Sequence, residues 1–350
     1  MHKNNFDFLR HLFAMCVVVA HCFPLSGNGY CDWMCQATGE QFDLSQFGVK
    51  GFFIISGYLI FQSLERSQSL FDYYWKRVLR LFPGLVVMLV LTVCFLPFVY
   101  TGTLREYITN KSTLTYLPYN LILYKTQYVI PGVFENNPYK SIINGSLWTI
   151  AYEFTMYMLL SLLFFFKTNR PLVKIVLAGS VILFLVINLF FADRLKGLNF
   201  ILMSNHFVDL GFYFIIGSAF SVFKLSELRH LTIVLWLAAI ITVLASITGY
   251  FAYVKYFTLP VLVIGIGTKH TPVIGNLFEK TGDLSYGIYI YGFLVQQILM
   301  HYFHLGFVGL LVGSLIVIPL LALFSWHVIE KKALSYKDFF KKRKMPGIGA

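Results

Sequence analysis

Residues 284–329, LSYGIYIYGFLVQQILMHYFHLGFVGLLVGSLIVIPLLALFSWHVI, contain no Asp, Glu, Lys or Arg. A bilayer crossing needs about 20 predominantly apolar residues, so this one stretch is long enough for two spans. Residues 231–254, between His230 and Lys255, and residues 81–104, between Arg80 and Arg105, are also free of charged side chains and supply two more. The whole chain follows suit: 57% of its 350 residues are hydrophobic and only 13% charged. A soluble domain of this size cannot hide so much apolar surface. The first apolar segment carries Arg10, His11 and His21 with no small-residue cleavage site after it, so it is read as a retained helix rather than a leader. The expected fold is an all-α polytopic bundle of about ten transmembrane helices.

Periodicity and hydropathy place the spans near 8–26, 48–65, 82–100, 147–166, 174–192, 206–223, 231–249, 253–268, 284–302 and 307–328. The eighth is short and broken by Pro260, Gly265 and Gly267. With the amino terminus inside, 20 of the 28 basic residues fall on cytoplasmic segments, so both termini are expected to be cytoplasmic. The chain then reads as one transmembrane unit, 1–330, with an outer loop at 101–146 that folds over one mouth of the bundle. A basic cytoplasmic tail follows at 331–350. That tail holds seven of the basic residues behind the net charge of +12, which points to anionic lipid rather than to nucleic acid. Cys31 and Cys35 share a polar outer loop where a bridge can form. A zinc site there lacks two ligands, and no metal is expected.

Ionisable groups inside a bilayer cost several kcal/mol and survive where they have a task or a partner. Arg10 and His21 lie eleven residues apart on the first helix, about 16 Å along one face, as opposite ends of one elongated ligand would require. Lys76, Arg77 and Arg80, in YYWKRVLRLFPG, form a basic cluster suited to phosphates. Glu153, six residues into the fourth span, is expected at the depth of His21, where a carboxylate can orient an imidazole acting as general base. The competing readings are a snorkelling arginine, a packed neutral histidine, simple charge anchoring, and a carboxyl bonded to Tyr152 or Tyr157. Ser56 and Tyr58, in GVKGFFIISGYLI, are expected to line a substrate cavity. His301 and His304 are expected at the outer interface, and Asn144-Gly-Ser is a glycosylation acceptor only in a eukaryotic secretory setting.

Taken together, FDFLR followed by His21, GVKGFFIISGYLI, YYWKRVLRLFPG, GSLWTIAYEFTMYML, LSYGIYI and SWHVIEK resemble the acyltransferase-3 family of membrane O-acyltransferases, in order and across nearly the whole chain. The resemblance implies a ten-helix core in the bacterial inner membrane and an acyl-coenzyme A donor, often acetyl-coenzyme A. The family's first-helix arginine and histidine fall on Arg10 and His21, its arginine pair on Arg77 and Arg80, and its fourth-helix tryptophan and glutamate on Trp148 and Glu153. Two departures stand out. Gly292 lies near the place where many members carry a ninth-helix histidine, and Lys331 follows Glu330 where proline is usual. The esterase-like domain that some members carry after the bundle is not expected, so acceptor choice should rest with the spans and the 101–146 loop.

The expected reaction follows. Arg77, Arg80, Lys76 and Arg10 bind the donor phosphates, and His21, oriented by Glu153, takes the proton from an acceptor hydroxyl. Trp148, Tyr152, Ser56 and Tyr58 contact substrate. The expected acceptor is a surface glycan or its lipid-linked precursor, by the family's habit, since no residue identifies a sugar. Two other classes fit a polytopic bundle with buried charges: a proton-coupled transporter of an anionic solute, and a glycan polymerase or ligase that needs no coenzyme A.

Overall fold

The computed structural model describes residues 4–198, 202–272 and 281–340. Lys3, Lys280 and the Lys341–Lys344 run lie outside the described residues. In chain order the helices begin with α1 (Phe6–Leu25), the short outer α2 (Trp33–Ala37), α3 (Leu44–Arg66) and α4 (Leu70–Phe95). The outer loop carries α5 (Leu104–Thr109) and α6 (Lys111–Leu121). Then come α7 (Trp148–Ser161), α8 (Arg170–Phe190), α9 (Ala192–Leu195), α10 (Ser204–Val222), α11 (Leu231–Thr248) and α12 (Phe251–Thr268). The last described are α13 (Ser285–Phe303), α14 (Phe307–Ser325) and α15 (Lys331–Ser335).

All ten expected spans coincide with long helices, and eight of these, with their continuations, are long and apolar enough to cross a membrane. The other two, α10 and α13, have span length but carry polar groups, among them Asn205, His206 and Asp209 on α10 and Gln296 and Gln297 on α13. Such helices need shielding from lipid. Accordingly α13 is buried without a break from Ser285 to Gln297, while the more apolar α8 and α11 are mostly exposed.

The third span departs from expectation at its start. Helix α4 begins at Leu70 rather than near 82, because Ser69 caps it by accepting from the Asp72 amide at 3.1 Å. Lys76, Arg77 and Arg80 therefore sit on regular helix, with fixed directions.

Helix α3 is the centre of the bundle, and its glycines explain why. A Cβ on Gly48 would overlap the Phe13 carbonyl of α1, and one on Gly57 would overlap the Phe214 carbonyl of α10. Small residues let backbones approach this closely. With α1 and α10 packed on those faces, a third stripe of α3 is left to face an interior space.

The outer loop does not simply lie over one mouth. After a single antiparallel bridge from Tyr100 to Val133, its second half descends into the bundle against α13. Asn137 donates to the Gln297 carbonyl at 2.9 Å, and Gln297 donates in return to the Tyr139 and Ile142 carbonyls at 2.8 and 2.6 Å. Deeper still, buried Asn144 donates to the Ile290 carbonyl at 2.8 Å. Irregular backbone is tolerated at membrane depth only where protein satisfies its polar groups, and these amides do so. Asn144 is thus a buried structural residue rather than a glycosylation acceptor. On the same outer side Cys31 and Cys35 are joined by a disulfide.

Candidate active site

The space facing α3 is a cavity of about 580 Å³. Its α3 wall is one helical stripe: Val49, Phe52, Phe53, Ser56, Ile60, Ser63 and Arg66. Arg66 lies seventeen helical steps from Val49, so the cavity runs ~25 Å along the helix at about 1.5 Å per residue. Its chemistry changes along that length. Arg66, Lys76, Arg77, Arg80 and Arg10 line one end, and Phe52, Phe53, Ile150 and Tyr289 line the other.

The basic end is not uniformly neutralised. Asp283, just before α13, bonds Arg10 at 2.9 Å and Arg80 at 2.5 Å. Burial pushes its carboxyl up, but Arg80 and Arg10 outweigh that and hold it below the usual carboxylate range. Lys76 pairs with buried Asp72 at 2.7 Å. Arg77 makes no ion pair among the described residues. One Nη donates to Ser63 Oγ at 3.1 Å, while its Nε is buried without an acceptor. The Tyr73 and Tyr157 rings hold the guanidinium from either side, each centroid 5.7 Å away. A half-buried cation beside two rings, with a buried donor to spare, has the chemistry to accept an anion.

Glu153 stands partway along the wall. Ser56 Oγ donates to its Oε1 at 2.9 Å, and Tyr157 donates its hydroxyl to the same oxygen. Tyr157 thus connects Glu153 to the face of Arg77. Six of the residues singled out in the sequence, Arg10, Ser56, Lys76, Arg77, Arg80 and Glu153, are brought together here.

The structure does not bring His21 to Glu153. The imidazole packs edge-on against Phe293 at 5.1 Å, and the carboxylate whose charge bears on it is Asp43, the N-cap of α3. Phe293 is one turn beyond Tyr289 on α13, Tyr289 bonds Thr149 at 2.6 Å, and Glu153 is one turn beyond Thr149 in the opposite direction. Eight helical steps put His21 and Glu153 ~12 Å apart in depth. The expectation of equal depth assumed that the fourth span starts at the outer surface. In fact the loop has already descended alongside α13 before α7 begins, and this carries Glu153 towards the basic end. His21 instead lies about one turn, ~5 Å, past the inner end of the cavity.

The remaining expected contacts fall elsewhere. Tyr58 packs on Phe6 with centroids 5.4 Å apart. Trp148 lies against His206 at 4.9 Å and against Tyr152 at 5.5 Å, and the Tyr152 hydroxyl accepts from the Met203 amide at 3.1 Å. None of the three lines this cavity among the described residues.

Sequence reading passed over Asp283 and Tyr157 as members of the site. Asp283 had a usable signal, since it is the last charge before the uncharged 284–329 run. It also passed over a buried pair in the outer half, Lys50 with Asp209 at 3.1 Å, and Lys255 beside it. Three ionisable groups inside three spans are themselves a signal.

Comparisons with known proteins agree with this architecture. Residues 3–327 match the family model Acyl_transf_3, described as an acyltransferase domain. An O-acetyl transferase of Shigella phage Sf6 is 29% identical over 96% of this chain and 97% of its own. Nodulation protein 10 of Rhizobium leguminosarum bv. viciae is 30% identical over 98% of this chain and 96% of its own. No solved structure matches significantly. The family match takes in every span and the whole cavity except the wall after residue 327, and the chain belongs to the acyltransferase-3 family, as a multi-pass membrane acyltransferase.

Proposed function

We propose that this chain transfers an acetyl group from acetyl-coenzyme A to a hydroxyl of a surface glycan, or of its lipid-linked precursor, in the bacterial inner membrane. The observation that carries the donor assignment is the graded cavity. One end offers Arg77 with an unused donor beside Arg80, Arg10 and Lys76, and a less polar stretch leads inward along a cavity ~25 Å from end to end. A phosphorylated nucleotide with a long thin thioester arm matches both parts. The name of the Shigella phage relative, O-acetyl transferase, supports the acyl group.

The roles divide by depth. Arg77, Arg80, Arg10 and Lys76 bind phosphate. Glu153 belongs to the donor side, where Tyr157 and Ser56 fix it and where it positions Tyr157 under Arg77. His21, past the inner end, is the base for an acceptor hydroxyl arriving from the opposite side. The hydroxyl oxygen attacks the acyl carbon, its proton passes to His21, and the thiolate leaves as coenzyme A. Tyr289 and Phe293, at i and i+4 on α13, stand between the cavity and the imidazole, so the Phe293 ring has to turn aside for the hydroxyl to come within hydrogen-bond reach of both His21 and the thioester.

Purified protein incubated with acetyl-coenzyme A and a bacterial glycolipid fraction should release free thiol and yield an acetylated glycolipid by mass. A chain that acetylates nothing and releases no thiol, yet exchanges an anionic solute across liposomes, would return the transporter reading.

A further inference from the structure

The segment after the last span folds back across the basic mouth of the cavity. Helix α14 continues through a π-turn at Trp326–Glu330 into α15, and the chain then runs on to Phe340. Trp75 of α4 donates its indole N–H to the Tyr336 carbonyl at 2.9 Å. The Phe340 ring packs on Phe71 and Trp75, with centroids 4.6 and 5.3 Å apart. These contacts place Leu334, Lys337 and Asp338 on the cavity wall, together with Arg66, Lys76 and Arg77. Composition alone assigned this stretch to a lipid-facing tail; three of its side chains face the site instead.

The charges on that wall are unequal. Lys76 is committed to Asp72, and Arg10 and Arg80 share Asp283. Lys337 is exposed and makes no ion pair among the described residues, even with Asp338 beside it. Its neighbours Tyr336 and Phe340 pack on Trp75 and Phe71 at the start of α4, which puts it at the entrance side of the basic end. An ammonium there adds a second anion contact to that of Arg77 on the same cavity wall.

We propose that residues 331–340 form the outer wall of the donor site, and that Lys337 binds the phosphate of coenzyme A most distant from the thioester, the 3′-phosphate on the ribose. This rests on the coenzyme A reading given above. Lys337 would act as a point charge on a flexible stem, able to follow a phosphate at a mouth open to solvent.

The test is equilibrium binding of coenzyme A and of 3′-dephospho-coenzyme A to the purified full chain, in detergent and in liposomes with and without anionic lipid. Lys337→Gln should weaken coenzyme A binding about 5- to 10-fold, the size of one partly solvated charge-assisted hydrogen bond. It should leave 3′-dephospho-coenzyme A unchanged, and Lys337→Arg should restore the preference. Because Lys337 is exposed, these variants should fold like the parent. Equal effects on both nucleotides, no effect on either, or an effect that appears only with anionic lipid would overturn the assignment. If the wild-type chain binds neither nucleotide, the coenzyme A reading itself falls and takes this one with it. If it binds both equally well, only this inference fails.

Discussion

The two ends of the cavity are built on different principles. At the basic end, Arg10, Arg77, Arg80 and Lys76 converge from α1 and α4, and among the described residues three carboxylates answer them by ion pairing: Asp283, Asp72 and, at 4.0 Å from Arg10, Asp7. At the inner end the walls are Phe52, Phe53, Ile150 and Tyr289, and one turn past them His21 packs against the edge of Phe293. The first end has charge to spend on a ligand. The second has no charged side chain among those walls, and the half-buried His21 ring lies past them. Binding and proton transfer are thus assigned to different depths of one bundle, and variants at the two ends should fail in different ways.

The largest expected effect is at the inner end. His21→Ala should lower kcat about 10²–10⁴-fold, the usual contribution of a general base, with coenzyme A binding unchanged. If binding falls together with turnover, the separation by depth is wrong. Next is Arg77→Ala, which should raise the donor KM roughly 10- to 150-fold, the worth of a hydrogen bond to a charged group, while kcat at saturating donor stays near that of the parent. Arg77→Lys should rescue this only in part, since the paired tyrosine rings suit a planar guanidinium. A kcat loss larger than the KM change would move Arg77 into the chemistry.

Two smaller effects sharpen the comparison. Asn144→Ala leaves the Ile290 carbonyl without its partner in the descending loop. It should cost about 1–3 kcal/mol of stability, read as a lower midpoint in thermal unfolding, because both ends depend on where that loop starts α7. Ser56→Ala removes one of the two hydrogen bonds to Glu153. It should raise the donor KM a few-fold, in line with about 0.5–1.5 kcal/mol for a single hydrogen bond, and leave the pH profile of kcat alone. A shifted pH profile would tie Glu153 to the proton transfer after all.

Some of this was legible one residue at a time. The spans read from uncharged runs match α1, α3, α8 and α10–α14 closely, because a membrane enforces length and apolarity on each segment separately. That Arg10, Arg77 and Arg80 share one site was legible for a related reason, since charged side chains this close to apolar spans gather where they have partners or a cavity. The pairing of His21 with Glu153 was not. It depended on where α7 starts relative to the membrane, and that is settled by Asn137, Asn144 and Gln297 joining a loop to a helix some 150 residues away. The wall supplied by 331–340 was hidden in the same way, since its composition suits lipid and its place comes from Trp75 and Phe71.

Local composition, then, decided by itself that this chain is a polytopic helical membrane protein and that basic side chains gather at the start of its third span. Each of those properties is a sum over neighbouring residues. Tertiary structure alone decided which groups share a cavity: Asp283 between Arg10 and Arg80, Glu153 on the wall towards the basic end, His21 past the inner end. The reason is that depth in a bundle is set by contacts between distant segments, where one buried amide can hold a whole helix start well below the surface that hydropathy assigns to it.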